Sequence, residues 1–160
     1  MNRMLIAVAV LAVAIPAAAS DKKVEDAYAK ADSQLTKGRT DEAEKTMEKL
    51  VQQMPTAEAH SARARIQLKA GNVEGAAVSA AEAKKQVGSA TPEAKADALA
   101  TLACLDLERG AGKDGVTNAQ EAVAASPNPA SLAVLARAQA RQGDPASVET
   151  ANKAVAAGAQ

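Results

Sequence analysis

Aromatic side chains are almost absent from this chain of 160 residues, which contains one tyrosine, Tyr28, and no tryptophan or phenylalanine. Apolar residues nevertheless make up 48% of the sequence, and most of them are alanine, which buries little surface on folding. Alanine is also the strongest helix former, so helix propensity must offset a thin core. This composition predicts an all-helical protein of modest stability.

Cysteine and histidine are each represented once, and this excludes several kinds of site. Cys104 has no second cysteine with which to form an internal disulfide. His60 alone cannot supply a histidine-based triad or a multi-histidine metal site. The sequence also has no phosphate-binding glycine loop and no cluster with metal-ligand spacing. We therefore predict that the protein is not an enzyme and has no metal or cofactor; a reactive Cys104 thiol stays open.

The first twenty residues have the layout of an export signal. Arg3 precedes an apolar stretch from Met4 to Ile15, and small residues then lead to Ala19. We expect a signal peptide over residues 1–19, cleaved after Ala19, and a periplasmic or secreted protein without a stable membrane anchor. The alternative is an uncleaved anchor, although the apolar stretch is shorter than the ~20 residues that span a bilayer.

Charges of the two signs are balanced after the signal peptide. Without Arg3, the chain has 18 basic residues against 19 acidic ones. Opposite charges alternate at helical spacing, as in Asp26 and Lys30, which is typical of solvated helix faces. Nonspecific binding to nucleic acid or an anionic membrane needs a positive excess, so we expect neither.

Four glycines recur along the chain, and each lies between two helical sequence patterns. They lie at positions 38, 71, 110 and 143, each seven residues after an alanine. Glycine ends a helix because it adopts the left-handed conformation at little cost. Small residues on both sides of each turn, such as Ala31 and Ala43, would allow the two helices to cross closely. The sequence thus predicts four helix-turn-helix units.

This pattern resembles that of the tetratricopeptide repeat (TPR) family, whose units have about 34 residues. The resemblance implies an all-α, right-handed solenoid over residues 20–160, and a plain helical bundle is the rival fold. The extra residues between the second and third units predict a longer link and an added helical turn near Pro92. The units are predicted to begin near Val24, Ala57, Ala96 and Pro129.

Several positions depart from the family pattern. Position 11 of the unit of about 34 residues, which usually holds a bulky residue, is polar in every unit: Gln34, Gln67, Asp106 and Gln139. We expect the leucines that follow three of these residues, Leu35, Leu68 and Leu107, to supply part of the missing packing. The third unit has Gly115 where alanine is usual, and the fourth has Asn152 where an apolar residue is expected.

The resemblance implies a protein-interaction scaffold that binds a partner protein or peptide along the concave face, lined by the first helix of each unit. Cell-envelope assembly or secretion is the candidate setting. The alternatives are a small-ligand carrier and a module of a longer TPR array. The concave-face residues by this resemblance are Tyr28, Asp32, Arg65, Lys69, Thr101, Cys104, Glu108, Arg137 and Arg141. The cations Arg65, Lys69, Arg137 and Arg141 predict an acidic partner.

The last helical pattern carries an apolar stripe formed by Val148, Ala151 and Val155. We expect part of this stripe to pack on the preceding helix, against Leu132, Leu135 and Ala136. The rest would face a further unit, so we expect docking on a partner or weak self-association through the C-terminal helix pair. The alternatives are a small, mostly alanine strip whose exposure is tolerated, and a fragment of a longer array.

Overall fold

The computed structural model describes residues 17–159, with side chains from residue 22 onward. These residues form eight α-helices joined by short turns. The helices are α1 Ala17–Thr36, α2 Thr40–Gln53, α3 Ala57–Lys69, α4 Val73–Gln86, α5 Pro92–Glu108, α6 Gly112–Ala125, α7 Pro129–Arg141 and α8 Ala146–Gly158. The predicted signal peptide lies outside the described residues except for its last three, which open α1, so its cleavage stays a prediction.

The four predicted glycines form the turns within the four helix pairs. All four have positive φ, between 70° and 80°, which is the left-handed conformation. In the second unit, Gly71 N–H donates to Leu68 O and Asn72 N–H donates to Gln67 O. This pair of bonds is the Schellman motif, and the same two bonds occur after α1, α5 and α7. Each first helix therefore ends where the glycine predicts.

Local side-chain caps start several helices. Thr91 accepts a hydrogen bond from the backbone of Ala94 and precedes Pro92 at the first position of α5, where an added helical turn was predicted. The Asp144 carboxylate accepts from the backbone of Ala146, two residues later, and Pro145, with helical φ and ψ, occupies the N-cap position of α8. These caps satisfy amide groups that have no partner within a helix.

The packing order of the helices is that of a curved solenoid. Each first helix contacts the next first helix, so α1, α3, α5 and α7 form a continuous row. The second helices of the described units contact only their neighbours along the chain. The first helices therefore lie closer together, on the inner side of the curve.

Small residues form much of the core. Ala31 and Ala43 are fully buried in the core of the first unit, and Ala64 and Ala76 are fully buried in the core of the second. Because alanine brings few methylene groups into these contacts, the larger side chains matter more. Met47, Ile66, Leu99 and Leu105 are the largest apolar side chains that are almost completely buried.

In the first three units, the polar residue at position 11 pairs with a polar residue twelve positions later, on the second helix of the same unit. The Thr46 hydroxyl donates to Gln34 Oε1 at 2.9 Å. The Ser79 hydroxyl donates to Gln67 Oε1 at 2.7 Å, and both side chains are buried. Asn118 Nδ2 donates to Asp106 Oδ2 at 2.6 Å. A hydrogen bond between the helices thus replaces the bulky apolar contact expected at this position.

The fourth unit differs, and it corrects our expectation for the C-terminal stripe. In the first three units, buried residues of the second helix lie five, nine and twelve positions after the turn glycine. In α8 the corresponding residues are Thr150, Ala154 and Ala157, two positions later. Val148 and Val155 are consequently 68% and 73% exposed, so they do not pack on α7.

A two-residue shift in the phase of α8 explains why Asn152 is tolerated. Asn152 is exposed rather than in the apolar position expected from the family pattern. α8 begins three residues after Gly143, whereas α2, α4 and α6 begin two residues after their glycines. The shift also leaves Gln139 Oε1 buried without a hydrogen-bond partner.

Candidate functional site

The first helices of the four units line a groove on the inner side of the solenoid. Its lining side chains all come from α1, α3, α5 and α7, and its volume is about 480 Å³. Seven of the nine predicted concave-face residues line it: Tyr28, Arg65, Lys69, Thr101, Cys104, Glu108 and Arg137. The other two, Asp32 and Arg141, form ion pairs with lining residues. The predicted residues therefore share one surface, and their part in binding stays a prediction.

Apolar side chains occupy the middle of the groove. Leu68, Ala100 and Val134 contribute to the lining, with Cys104 beside them. Ala100 is buried and the other three are partly buried, so each presents some apolar surface to the groove. An apolar surface with a few polar groups around it is the usual composition of a ligand site in proteins.

Two of the four predicted cations pair with carboxylates of the same chain in the first half of the groove. Arg65 Nη1 lies 2.9 Å from Asp97 Oδ1, and Lys69 Nζ lies 2.6 Å from Asp32 Oδ1. The hydrogen bond to Asp32 raises the pKa of Lys69, and the Tyr28 side chain acts in the same direction. These side chains are between a third and half exposed, so each ion pair adds little to folding stability.

The other two cations share one carboxylate in the second half of the groove. Arg137 donates a hydrogen bond to Glu108, and Arg141 lies 3.7 Å from the same carboxylate oxygen. Arg141 also donates to the backbone carbonyl of Leu107. An acidic partner must therefore compete with carboxylates of this chain for every predicted cation, and the uncompensated positive charge lies between Arg137 and Arg141.

Asp97 connects α3 to α5, and it was not among the predicted residues of the concave face. Its carboxylate accepts hydrogen bonds from Arg65 and from the buried Ser61 hydroxyl at 2.9 Å each. The Thr101 hydroxyl donates to the Asp97 backbone carbonyl at 2.8 Å and lies 3.1 Å from the Ser61 hydroxyl. Asp97 precedes Thr101 by four residues on the same helix face, and this spacing was the signal available in the sequence.

Tyr28, the only aromatic residue, lies under two cations at one end of the groove. Arg65 Cζ is 4.6 Å and Lys69 Nζ is 5.3 Å from the centroid of its ring. Both distances are within the range of cation–π attraction. Arg65 is thereby held by the ring and by Asp97, while its Nε is buried without a hydrogen-bond partner.

Burial disfavours the charged form of both Cys104 and His60. Burial raises the pKa of the Cys104 thiol, and the nearby Arg137 only partly opposes this, so the thiolate is disfavoured. Burial lowers the pKa of His60, Arg63 acts in the same direction and Glu82 opposes it. His60 does not line the groove. Within residues 17–159, no group of three potential metal ligands comes together, and no helix is both long and apolar enough to span a membrane.

Four glycine-linked helix pairs, with the first helices on the inner side, define a TPR-like solenoid, and solved structures share this fold. PilF of Pseudomonas aeruginosa has a TM-score of 0.66 and 18% identity, over 86% of this chain and 62% of that chain. MamA has a TM-score of 0.60 and 17% identity, over 86% and 80%. A thermophilic TPR protein of Thermus thermophilus has a TM-score of 0.62 and 17% identity, over 84% and 74%.

These likenesses confirm the predicted all-helical, TPR-like solenoid. Because the identities lie below 20%, they establish the fold alone. The chain spans less than two thirds of the PilF chain that it matches. No protein-family model and no curated protein matches the sequence.

Proposed function

We propose that this protein is an exported interaction scaffold that holds a segment of a partner protein in its concave groove. The observation that carries the proposal is the apolar middle of the groove, flanked by ion-paired side chains from all four units. Burial of apolar surface would supply affinity, while the charged side chains would set the orientation of the segment. The TPR-like fold supports this proposal, because such solenoids typically present a concave surface to another protein.

The distribution of charge favours one arrangement of the bound segment. An apolar side chain would contact Leu68, Ala100 and Val134 in the middle of the groove. A carboxylate of the partner would lie between Arg137 and Arg141, which share a single acidic residue of this chain. At the Tyr28 end both cations are neutralised, so this end would contribute less to the recognition of an acidic group.

Blocking the groove tests the proposal. Ala130 lines the groove and is exposed, so Ala130→Trp should fill the space without disturbing the core. Ala124→Trp on α6 is the matched control, because Ala124 is exposed and lies on a second helix outside the groove. The parent protein and the control should capture the same discrete protein from an envelope fraction, and Ala130→Trp should lose it. Equal capture by all three proteins would refute the groove as the binding site.

A small-ligand carrier is the second candidate, because the groove volume of about 480 Å³ lies in the range of small-molecule sites. Capture of no protein, together with a small molecule that stays with the parent protein but not with Ala130→Trp, would favour this candidate. A module of a longer TPR array would use the same groove.

Export is supported by the order of Arg3, the apolar stretch and the small residues before Ser20. We propose a periplasmic or secreted location, with envelope assembly or secretion as the setting. N-terminal sequencing of the protein expressed with its native start should find Ser20 as the first residue. An intact N-terminus in the membrane fraction would contradict cleavage.

Weak self-association is proposed for the last helix pair, because Val148 and Val155 expose apolar surface on α8. Sedimentation at high concentration should detect a reversible dimer that Val148→Lys and Val155→Lys abolish. If both the parent protein and the lysine variant are monomers, the exposure of Val148 and Val155 is tolerated.

A further inference from the structure

A second groove lies between α1 and α2, away from the concave face. Its volume is about 360 Å³, and its lining comes from these two helices and from Met54, which directly follows α2. On α1 the lining positions run from Lys23 to Lys30, and on α2 they run from Thr46 to Gln53. Lining residues recur at three- and four-residue intervals on both helices, so two helix faces border the groove along its length.

The charges of this groove differ from those of the concave groove. Lys23, Lys30 and Lys49 line it, and Asp26 is the one acidic residue in the lining. Within residues 22–159, no carboxylate lies within 4.0 Å of any of these three ammonium groups. All three lysines are exposed. The groove therefore presents a net positive charge that the described side chains do not neutralise.

The base of this groove is apolar and belongs to the core of the first unit. Leu50 and Met54 are 6% and 4% exposed, and both contribute to the lining. Ala27, which packs against the same core, is half-buried between Lys23 and Lys30. A ligand that reached this base could bury apolar surface and meet the lysines at the same time.

We propose that this groove binds an acidic amphipathic helix of a partner protein. Lys23 and Lys30 are seven residues apart, which places them about 10 Å apart along α1. A small anion could contact one of them, whereas a helix with carboxylates two turns apart would contact both. Its apolar face would lie on Leu50 and Met54, and a third carboxylate would meet Lys49. A flat membrane surface would contact the lysines but not the recessed apolar base.

The test uses a synthetic helical peptide with leucines on one face and glutamates beside them, labelled for fluorescence anisotropy. Its counterpart carries glutamine in place of every glutamate. Lys23→Gln, Lys30→Gln and Lys49→Gln are combined in one variant. The matched control combines Lys37→Gln, Lys95→Gln and Lys113→Gln, three exposed lysines outside both grooves, so that net charge changes equally.

The acidic peptide should bind the parent and the control with equal affinity, and the groove variant about tenfold or more weakly. The difference should shrink as salt is raised from about 0.02 M to about 0.2 M, because the lysines are exposed to solvent. The glutamine peptide should bind the parent weakly. Circular dichroism should show that both variants keep the helical content of the parent.

Three results would overturn the proposal. The first is the absence of saturable binding by the acidic peptide, and the second is equal weakening in the control variant. The third is displacement of the peptide by inorganic phosphate at low concentration, or groove-dependent binding to phosphatidylglycerol vesicles, which would assign the lysines to a phosphate group. Ala130→Trp blocks only the concave groove, so it should leave peptide binding unchanged and separates this inference from the proposed function.

Discussion

Replacing glutamine by methionine should affect stability differently in the second and fourth units, at the equivalent positions Gln67 and Gln139. Gln67 Oε1 accepts the Ser79 hydroxyl at 2.7 Å, and both residues are 4% exposed. Gln139 occupies the same position in the fourth unit, but its Oε1 is buried without a partner. Methionine has nearly the shape of glutamine without the amide, so Gln67→Met and Gln139→Met change polarity more than volume.

The expected magnitudes follow from the cost of an unpaired buried polar group, which is about 1–3 kcal/mol. Gln67→Met leaves the Ser79 hydroxyl without its acceptor. This hydroxyl can turn to a backbone carbonyl one turn earlier, as Thr46 does toward Glu42, so the loss should be near the lower end, about 1 kcal/mol. Gln139→Met removes an acceptor that already lacks a partner, so it should leave stability unchanged or increase it.

Thermal and urea unfolding, followed by circular dichroism, measure both effects. Gln67→Met should lower the melting temperature by about 3–5 °C, since a domain of this size loses roughly this much per kcal/mol. Adding Ser79→Ala should recover part of the loss, because neither buried partner then stays polar. Equal destabilisation at Gln67 and Gln139 would refute the reasoning, since the hydrogen bond could not then be the cause.

Three further predictions concern packing and protonation. Leu107→Ala should lower the free energy of unfolding by about 2–5 kcal/mol, because Leu107 is only 3% exposed. Leu68→Ala should lower it less, because Leu68 is half-buried; equal urea midpoints for the two variants would contradict this. A Cβ at Gly115 would lie 3.0 Å from Leu107 Cδ2, so Gly115→Ala should destabilise the parent but be better tolerated with Leu107→Ala in a double-mutant cycle. Burial lowers the pKa of His60 below its ordinary 6.5, so its stabilising contribution should be lost as pH falls through this value toward the folded-state pKa. His60→Gln should lessen the fall in melting temperature between about pH 7 and about pH 5, and an unchanged fall would contradict this contribution.

The turns and the close helix crossings could be predicted because local residues determine them. A left-handed turn favours glycine, because glycine adopts positive φ at low cost, and all four predicted glycines have positive φ. Closely crossing helices require small side chains, and Ala31 and Ala43 are fully buried where this rule predicts. Neither requirement depends on how the units are arranged relative to one another.

The ion pairs of the groove could not be predicted in the same way. Arg65 and Asp97 are 32 residues apart in the sequence, and their contact depends on how α3 packs against α5. The cations of the groove therefore looked available to a partner when each unit was considered alone. The helical spacing of α5 could have identified Asp97 as a residue on the groove face, although not as the partner of Arg65.

The repeat pattern also could not predict which face of α8 is buried. Counting from Gly143 places Val148 in the core, but Thr150 occupies this place in the structure. Asn152, which conflicted with the family pattern, was the signal that the count had shifted. A polar residue at a predicted core position can thus indicate a change of phase rather than a weak unit.

The alkylation rate of Cys104 is the most direct test that the concave groove holds a partner. Cys104 is the only cysteine, and it lies among the lining residues between Thr101 and Glu108. A maleimide reagent would therefore report on this one position in the otherwise unmodified protein. The partner captured by the parent protein should slow alkylation in proportion to the fraction bound, and Ala130→Trp should remove this protection. An unchanged alkylation rate at saturating partner would contradict binding in the groove.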